Sequence, residues 1–355
     1  MADSRGPAGR GFTFGVVDQS PIRRGGTATE ALQESVELAK LADRLGYARY
    51  WVAEHHNAGS FAGAAPEILI GQIAARTSRI HVGSGGVMLS HYSALKVAEQ
   101  FSILNSFYPG RIDLGIGRAP GSDQLTALAL ADPRPMAEIE QFPRQVMDLL
   151  GFFHGFDNPE HPFREIRAQP GPRAEVQPEV WLLGSSDYSA NLAARLGLPY
   201  AFAEFFGITG EQGPISSALY REEFQASKYL ASPKVNVTLQ VTCAPTTEEA
   251  LFVASSRRLT KANRLLRLGL KPGLLPPEEA STFPLTQQQW QYVEGLSNGE
   301  IDGDPDLVRA GILQAAKLFG SADIGIVCNC YRLEDRLRSY RLVAEAMGLA
   351  PAKLT

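Results

Sequence analysis

Short apolar segments alternate with amphipathic helical segments along nearly the whole sequence, and this alternation constrains the fold more than any other feature. The apolar segment FTFGVVD, residues 12–18, precedes residues 28–46, where apolar side chains recur at helical spacing. Seven further apolar segments, each followed by a helical pattern, lie at residues 48–54, 79–89, 111–117, 179–184, 198–203, 235–244 and 322–329. Eight such units favour an α/β fold that closes into a (β/α)₈ TIM barrel over an open parallel sheet.

The same pattern predicts one domain over residues 12–355. A barrel of this type can exceed roughly 400 residues as one unit, and no shift in composition marks a boundary. Residues 1–11 are predicted to form a flexible N-terminal tail. Residues 119–134, 154–178 and 270–303 interrupt the alternation and are predicted to be insertion loops.

Charge and composition exclude several classes of function. The net charge of −4 and the absence of a basic run argue against binding to nucleic acid or to an anionic membrane. The first residues contain glycine, proline and charge where a signal peptide needs an apolar stretch, and no segment has the roughly 18 consecutive apolar residues of a membrane span. The expected location is the cytoplasm, with a small-molecule substrate as partner.

The three cysteines, Cys243, Cys328 and Cys330, are too few to suggest a disulfide framework. No CxxC or HxxxH spacing supplies a set of metal ligands. We therefore expect reduced, buried cysteines and no metal site.

Two adjacent histidines, His55 and His56, follow the second predicted strand. In (β/α)₈ barrels the chemistry takes place at the carboxyl ends of the strands. Neighbouring residues in extended chain point to opposite sides, so one of the two imidazoles is expected to face the barrel mouth as an acid, a base or a hydrogen-bond donor. The alternative is a pair of structural histidines in a loop.

Two further strand ends suggest a bound cofactor. Gly85 and Gly86 end the third strand, where the lack of side chains lets a flat ring approach the backbone, although a tight bend explains the glycines as well. Arg118 leaves the fourth strand, and its guanidinium suits either a phosphate or a surface ion pair.

A cluster of serines, Ser185, Ser186 and Ser189, lies between the fifth strand and its helix. Hydroxyls and free backbone N–H groups at a helix N-terminus suit a phosphate, and barrels commonly bind phosphate in such a loop. Helix capping is the alternative function for the same residue types.

The blocks YWVAEHHN, VGSGGVML, GRIDLGIGRAPG and LLGSSDYSANLAARLGLPYAFA resemble those of the bacterial luciferase-like flavin-dependent monooxygenases, in the alkanal monooxygenase alpha-chain-like subgroup. By this resemblance, His55 corresponds to the catalytic histidine and His56 to its neighbour. Gly85 and Gly86 correspond to the backbone beside the flavin ring. Arg118 and the three serines correspond to the phosphate site.

The resemblance implies a two-component monooxygenase. Such an enzyme uses reduced FMN, FMNH₂, as a cosubstrate supplied by a separate NAD(P)H:flavin reductase, and it oxidises a small organic substrate with O₂ through a C4a-peroxyflavin. The resemblance also implies a homodimer formed through the early helices. Bacterial luciferase has a cysteine where this chain has Gly117, which argues against light emission.

Two alternatives remain open at this point. The first is a deazaflavin-dependent oxidoreductase of the same fold, whose members do not usually have the Glu-His-His sequence. The second is a non-catalytic flavin-binding paralogue, against which the retained histidine and the full-length barrel argue.

Overall fold

The computed structural model describes residues 11–118, 123–132, 139–170, 177–207, 211–297 and 299–350. Most of the predicted N-terminal tail, residues 1–10, and parts of the first two predicted insertions lie outside the described residues. The single domain and the tail therefore stay predictions.

The strands form a closed parallel barrel. Within the described ranges there are nine strands: β1 (Thr13–Asp18), β2 (Arg49–Val52), β3 (His81–Met88), β4 (Ile112–Gly117), β5 (Glu179–Gly184), β6 (Tyr200–Ala203), β7 (Val235–Cys243), β8 (Glu300–Gly303) and β9 (Asp323–Val327). Neighbours pair in the order β6-β5-β4-β3-β2-β1-β9-β7-β8, and an additional pairing of β6 with β7 closes eight of them into a ring. The predicted (β/α)₈ barrel is confirmed.

Helices follow the strands and cover the barrel. They are α1 (Ala28–Leu45), α2 (Pro66–Ala74), α3 (Ala94–Phe107), α4 (Gln124–Ala131), α5 (Phe142–His154), α6 (Asp187–Leu196), α7 (Gln212–Glu222), α8 (Thr247–Leu266), α9 (Pro277–Ala280), α10 (Gln287–Gly295), α11 (Pro305–Phe319) and α12 (Leu333–Met347). Helix α1 shows how the sequence sets such bounds. A capping box between Thr27 and Glu30 starts it, and left-handed Gly46 ends it.

The prediction of an insertion loop at residues 270–303 is wrong, because much of this segment has regular secondary structure. It contains α9, α10 and the extra strand β8, which pairs with the C-terminal half of β7. Helix α11, which follows it, was not predicted from the sequence, although its ends carry clear signals. The Asp304 side chain accepts hydrogen bonds at the N-cap, Pro305 is the first helical residue, and left-handed Gly320 ends the helix.

Two other boundaries differ from the predicted ones. A helical pattern over 215–230 predicted a longer α7, but the helix ends at Glu222 because the following residues bond to α6 and its end instead. The N–H of Gln225 donates to the Ala194 carbonyl, and the Ser227 hydroxyl donates to the Gly197 carbonyl. Strand β9 ends at Val327, one residue before the first cysteine of its predicted segment.

The predicted state of the cysteines is confirmed. Cys243, Cys328 and Cys330 are all buried and free. The Sγ atoms of Cys328 and Cys330 lie 3.5 Å apart, without a disulfide bond.

An apolar cluster fills the barrel below its mouth. Val17, Trp51, Trp181, Ala201 and Val327 come from five different strands and pack against one another. The rings of Trp51 and Trp181 meet edge to face, with centroids 5.2 Å apart. These side chains form a solid floor beneath the carboxyl ends of the strands.

A buried ion pair joins the first and last strands of the ring. The carboxylate of Asp18, at the end of β1, accepts hydrogen bonds from Arg336 of α12 at 2.5 Å and from the Tyr50 hydroxyl at 2.5 Å. Arg336 also donates to the carbonyl of Cys328, just after β9, at 2.8 Å. The charge of Arg336 and these hydrogen bonds outweigh burial and lower the pKa of Asp18.

No helix in the part of the chain that the structure describes is long and apolar enough to cross a membrane. The cytoplasmic location stays a prediction.

Candidate active site

A cavity of about 210 Å³ opens at the carboxyl ends of the strands, above the tryptophan floor. Every predicted cofactor-binding residue lines it, namely Gly85, Gly86, Arg118, Ser185, Ser186 and Ser189. The remaining wall is mainly apolar and includes Met88, Leu183, Phe205 and Phe206. The structure thus brings together, in one cavity, residues at the carboxyl ends of three different strands.

One wall of the cavity is bare backbone. The register between β3 and β4 shifts between Ser84 and Val87, so that Gly85 and Gly86 form a bulge. A Cβ atom on Gly86 would lie 2.7 Å from the Gly115 carbonyl oxygen, a contact that neither backbone can relieve without moving. Glycine is therefore required at position 86 for close packing of the strands. Because Gly85 and Gly86 both line the cavity, this part of its wall carries no side chains and suits a planar ring.

Another part of the cavity wall, called the cradle below, carries three serines beside the N-terminus of α6, where hydroxyl and backbone N–H groups suit an anion. Ser186 is at the N-cap of α6, but its hydroxyl makes no capping hydrogen bond, so the capping alternative does not account for it. Among the described residues, the hydroxyls of Ser185, Ser186 and Ser189 have no hydrogen-bond partner. Within the described ranges, the carboxylate of Asp187, the first residue of α6, accepts one hydrogen bond, from the N–H of Tyr188 at 2.9 Å.

Arg118 supplies the positive charge of this cradle. Its guanidinium lies 4.0 Å from the centroid of the Tyr188 ring, in the first turn of α6, and no carboxylate in the described ranges pairs with it. A guanidinium held by stacking keeps its N–H groups available for a phosphate. The cradle and the glycine wall together fit a flavin nucleotide, which combines a planar ring with a phosphate.

The two predicted catalytic histidines do not line this cavity among its described wall residues. They point in different directions beyond the end of β2, as expected for adjacent residues in extended chain. The His55 ring packs on Phe61, with centroids 4.6 Å apart, and its buried Nδ1 atom has no hydrogen-bond partner among the described residues. His56 instead faces the side chains of Glu54 and Tyr92.

Burial keeps His55 neutral. Loss of solvation, with a smaller effect of His56, lowers the pKa of His55 from its ordinary value of 6.5 to about 4. The side chain is therefore a neutral imidazole at physiological pH, and its buried Nδ1 atom has no hydrogen-bond partner among the described residues.

Several residues that shape the site were not predicted from the sequence. Glu54 is fully buried and accepts hydrogen bonds from His56 and Tyr92. Thr238, Phe205 and Phe206 line the cavity. The Glu-His-His sequence itself contains the signal for Glu54, because a carboxylate beside two histidines at a strand end is an obvious partner. No local signal marks the other three.

A second, larger groove of about 760 Å³ lies outside the barrel mouth, between α1 and α2. Its lining includes Leu32, Val36, Ile68 and Leu69. Within the described ranges, no group of three or more histidine, cysteine, aspartate or glutamate side chains is placed to hold a metal ion.

Comparison with known proteins assigns the family. The model of the luciferase-like monooxygenase family matches residues 12–322. The luciferase-like monooxygenase of Escherichia coli strain K12 is 41% identical over 337 residues, which cover 94% of this chain and 96% of that protein. The chain therefore belongs to the luciferase-like monooxygenase family, and the predictions of this family and of a monooxygenase are confirmed.

Solved structures agree with this assignment. The apo-MsnO8 structure is 39% identical, with a TM-score of 0.83, and the match covers 96% of this chain and all of that one. The oxygenating constituent of 3,6-diketocamphane monooxygenase, from the CAM plasmid of Pseudomonas putida and in complex with FMN, has a TM-score of 0.68 at 20% identity, with 97% and 100% coverage. The similarity to the diketocamphane monooxygenase constituent shows that the two proteins share a fold.

The environment of His55 gives a direct prediction of its titration. Its imidazole should remain neutral until the pH falls to about 4, whereas an exposed histidine titrates near 6.5. NMR of histidine-labelled protein, with the signals assigned through His55→Gln, measures this midpoint. Because the unfolded chain binds the proton at higher pH, this residue reduces stability as the pH falls from about 6.5 towards 4. A midpoint near 6.5 for His55 would contradict the burial described above.

Proposed function

We propose that this protein is a monooxygenase that binds FMNH₂ as a cosubstrate in the cavity at the strand ends and oxidises a small organic substrate with O₂. The observation that carries the proposal is the pairing, in one cavity, of a bare glycine wall with an anion cradle. Membership of the family supports it, as does the related fold of the diketocamphane monooxygenase constituent that binds FMN. FMNH₂ would come from a separate NAD(P)H:flavin reductase.

In this proposal the cradle binds the phosphate of FMN. Arg118 donates charge-assisted hydrogen bonds, while Ser185, Ser186 and Ser189 donate from hydroxyls that are free of other partners within the described ranges. The amino end of α6 adds its positive partial charge. The flat ring lies against Gly85 and Gly86, where no side chain blocks its approach.

Bound reduced FMN supplies the electrons that activate O₂ for transfer to the substrate. The protein contributes orientation, hydrogen bonds and the exclusion of water. Met88, Leu183, Phe205 and Phe206 make most of the wall apolar, which limits water near the reacting atoms and favours an organic substrate. We assign His55 the hydrogen bond or proton transfer at the reacting oxygen, with His56 as the second catalytic residue.

Substitution of Arg118 tests the binding part of the proposal. Arg118→Ala should weaken FMN binding by about 1.5–3 kcal/mol, the usual worth of a charge-assisted hydrogen bond. The binding free energy of riboflavin, which lacks the phosphate, should decrease much less. Calorimetric titration of both ligands measures the difference, and Arg195→Ala, at the exposed end of α6, is the matched control. Equal losses for FMN and riboflavin would exclude Arg118 from the phosphate site, and tighter binding of a deazaflavin coenzyme than of FMN would favour that alternative.

Substitution of His55 tests the catalytic part. His55→Ala should lower the rate of substrate oxidation by about 10²–10⁴-fold while changing FMN affinity by less than about tenfold. A substrate found by screening for substrate-dependent oxygen uptake is used in a single turnover with reduced FMN and O₂. The yield of product is then compared with the hydrogen peroxide released, which should rise in the variant.

His81→Gln is the control for that experiment, because His81 opens β3 at the opposite end of the barrel. Unchanged turnover and yield in His55→Ala would remove His55 from the mechanism and leave His56 as the candidate.

We also propose that the protein is a homodimer that pairs through the surface of α1, α2 and α3. The groove between α1 and α2 is mainly apolar, and Ile68 is 67% exposed within it. On the neighbouring helix α3, Ile103 is 47% and Phe107 74% exposed. Apolar surface of this kind, on adjacent helices, is typical of an interface between subunits.

A charge at the centre of this surface should separate the subunits. Ile68→Asp is expected to raise the dimer dissociation constant by at least about tenfold in sedimentation equilibrium, since burial of an unpaired carboxylate is costly. Leu318→Asp, at a site on α11 that is 59% exposed, is the matched control and should have no effect. A wild-type monomer at micromolar concentration would contradict the proposed dimer.

A further inference from the structure

Glu54 connects the histidine pair to the cavity wall. Its side chain is completely shielded from solvent, and among the described residues no lysine or arginine pairs with it. One oxygen, Oε1, accepts hydrogen bonds from the Tyr92 hydroxyl at 2.8 Å and from His56 Nε2 at 2.8 Å. The other, Oε2, accepts the backbone N–H of Met88 at 3.1 Å. Buried carboxylates require such compensation, and here three donors from two segments of the chain supply it.

These contacts determine which nitrogen of His56 carries the hydrogen. An ionised carboxylate offers only acceptors, so a ring nitrogen 2.8 Å from the carboxylate form of Glu54 is an N–H group. Burial and the neighbouring Glu54 raise the pKa of Tyr92, so its phenol stays protonated and also donates. In the neutral ring, Nε2 then holds the hydrogen and Nδ1 is left as an acceptor.

The same carboxylate holds part of the cavity wall. The Met88 side chain lines the cavity, and Met88 is the last residue of β3, just beyond the glycine bulge. Its methyl carbon lies 3.3 Å from the place that a Cβ of Gly117 would occupy. Tyr92 is two residues ahead of α3, so Glu54 joins the end of β3 and the start of the next helix to His56.

We propose that Glu54 is a positioning residue that fixes His56 in the Nε2–H tautomer, with Nδ1 as an acceptor, and anchors Met88 at the cavity wall. The assignment of this tautomer rests on the contacts of the protein alone, whereas its use in catalysis rests on the proposed function. The arrangement gives the two adjacent histidines different properties. His55 has a free nitrogen and no charged partner, and His56 is held by a carboxylate.

NMR of protein labelled with ¹⁵N-histidine, without added flavin, tests this proposal. In the wild-type protein, the signals of His56, assigned through His56→Asn, should show a hydrogen on Nε2 and none on Nδ1. This hydrogen should be protected from exchange with water, because it is bonded to a shielded carboxylate. A hydrogen on Nδ1 in the wild-type protein would overturn the proposal without any variant at Glu54.

Variants separate positioning from general stability. Glu54→Gln cannot satisfy all three donors with one amide oxygen, so exchange of the His56 hydrogen should become at least about tenfold faster, in keeping with the loss of a hydrogen bond to a charged group. Tyr92→Phe removes one donor only and should leave the tautomer as in the wild type. Glu223→Gln, on the surface, is the matched control and should change nothing.

Unchanged protection of the His56 hydrogen in Glu54→Gln would contradict the role of Glu54. Failure of FMN to bind would contradict the proposed function and leave the tautomer result standing, so the two failures are distinguishable.

Discussion

Closure of the parallel sheet into a ring, in which β1 pairs with β9 and β6 with β7, is the constraint on which the rest of the structure depends. Closure turns eight strands into a ring, so that all their carboxyl ends meet at one rim. The buried pair of Asp18 and Arg336 lies at this junction, and its hydrogen bonds reach Tyr50 of β2 and the carbonyl after β9. Residues far apart in the sequence, such as Gly86, Arg118 and Ser185, share a cavity only because the ring is closed.

Different strand ends contribute different chemical groups to the candidate site. The glycine bulge of β3 supplies a surface without side chains, and the segments after β4 and β5 supply charge and hydroxyls. The segment after β2, which is not part of the described cavity wall, carries two histidines in contrasting environments. Burial keeps His55 neutral, and its Nδ1 atom has no hydrogen-bond partner among the described residues. The Nε2 atom of His56, in contrast, lies within hydrogen-bond distance of Glu54 and Tyr92. This division suits a reaction in which the protein orients a cofactor and protects reactive atoms from water.

Much of this arrangement could be predicted from the sequence, because strand and helix periodicity determine the order of elements and the barrel determines where strand ends lie. Six cofactor-binding candidates, each chosen from a strand end, line the same cavity. What could not be predicted depends on packing. Phe205, Phe206 and Thr238 reach the cavity only through the folded ring, and α7 ends early because tertiary hydrogen bonds compete with its helical pattern. Helix α11 could have been predicted from the sequence, because Asp304, Pro305 and Gly320 mark its two ends.

The central claim is that this cavity binds FMN, with its phosphate between Arg118 and the start of α6. A crystal structure of the protein grown with FMN tests the claim most directly. We expect the phosphate within hydrogen-bond distance of Arg118 and of the hydroxyls of Ser185 and Ser186, and the ring against Gly85 and Gly86. FMN bound elsewhere, or with its phosphate away from the amino end of α6, would contradict the account.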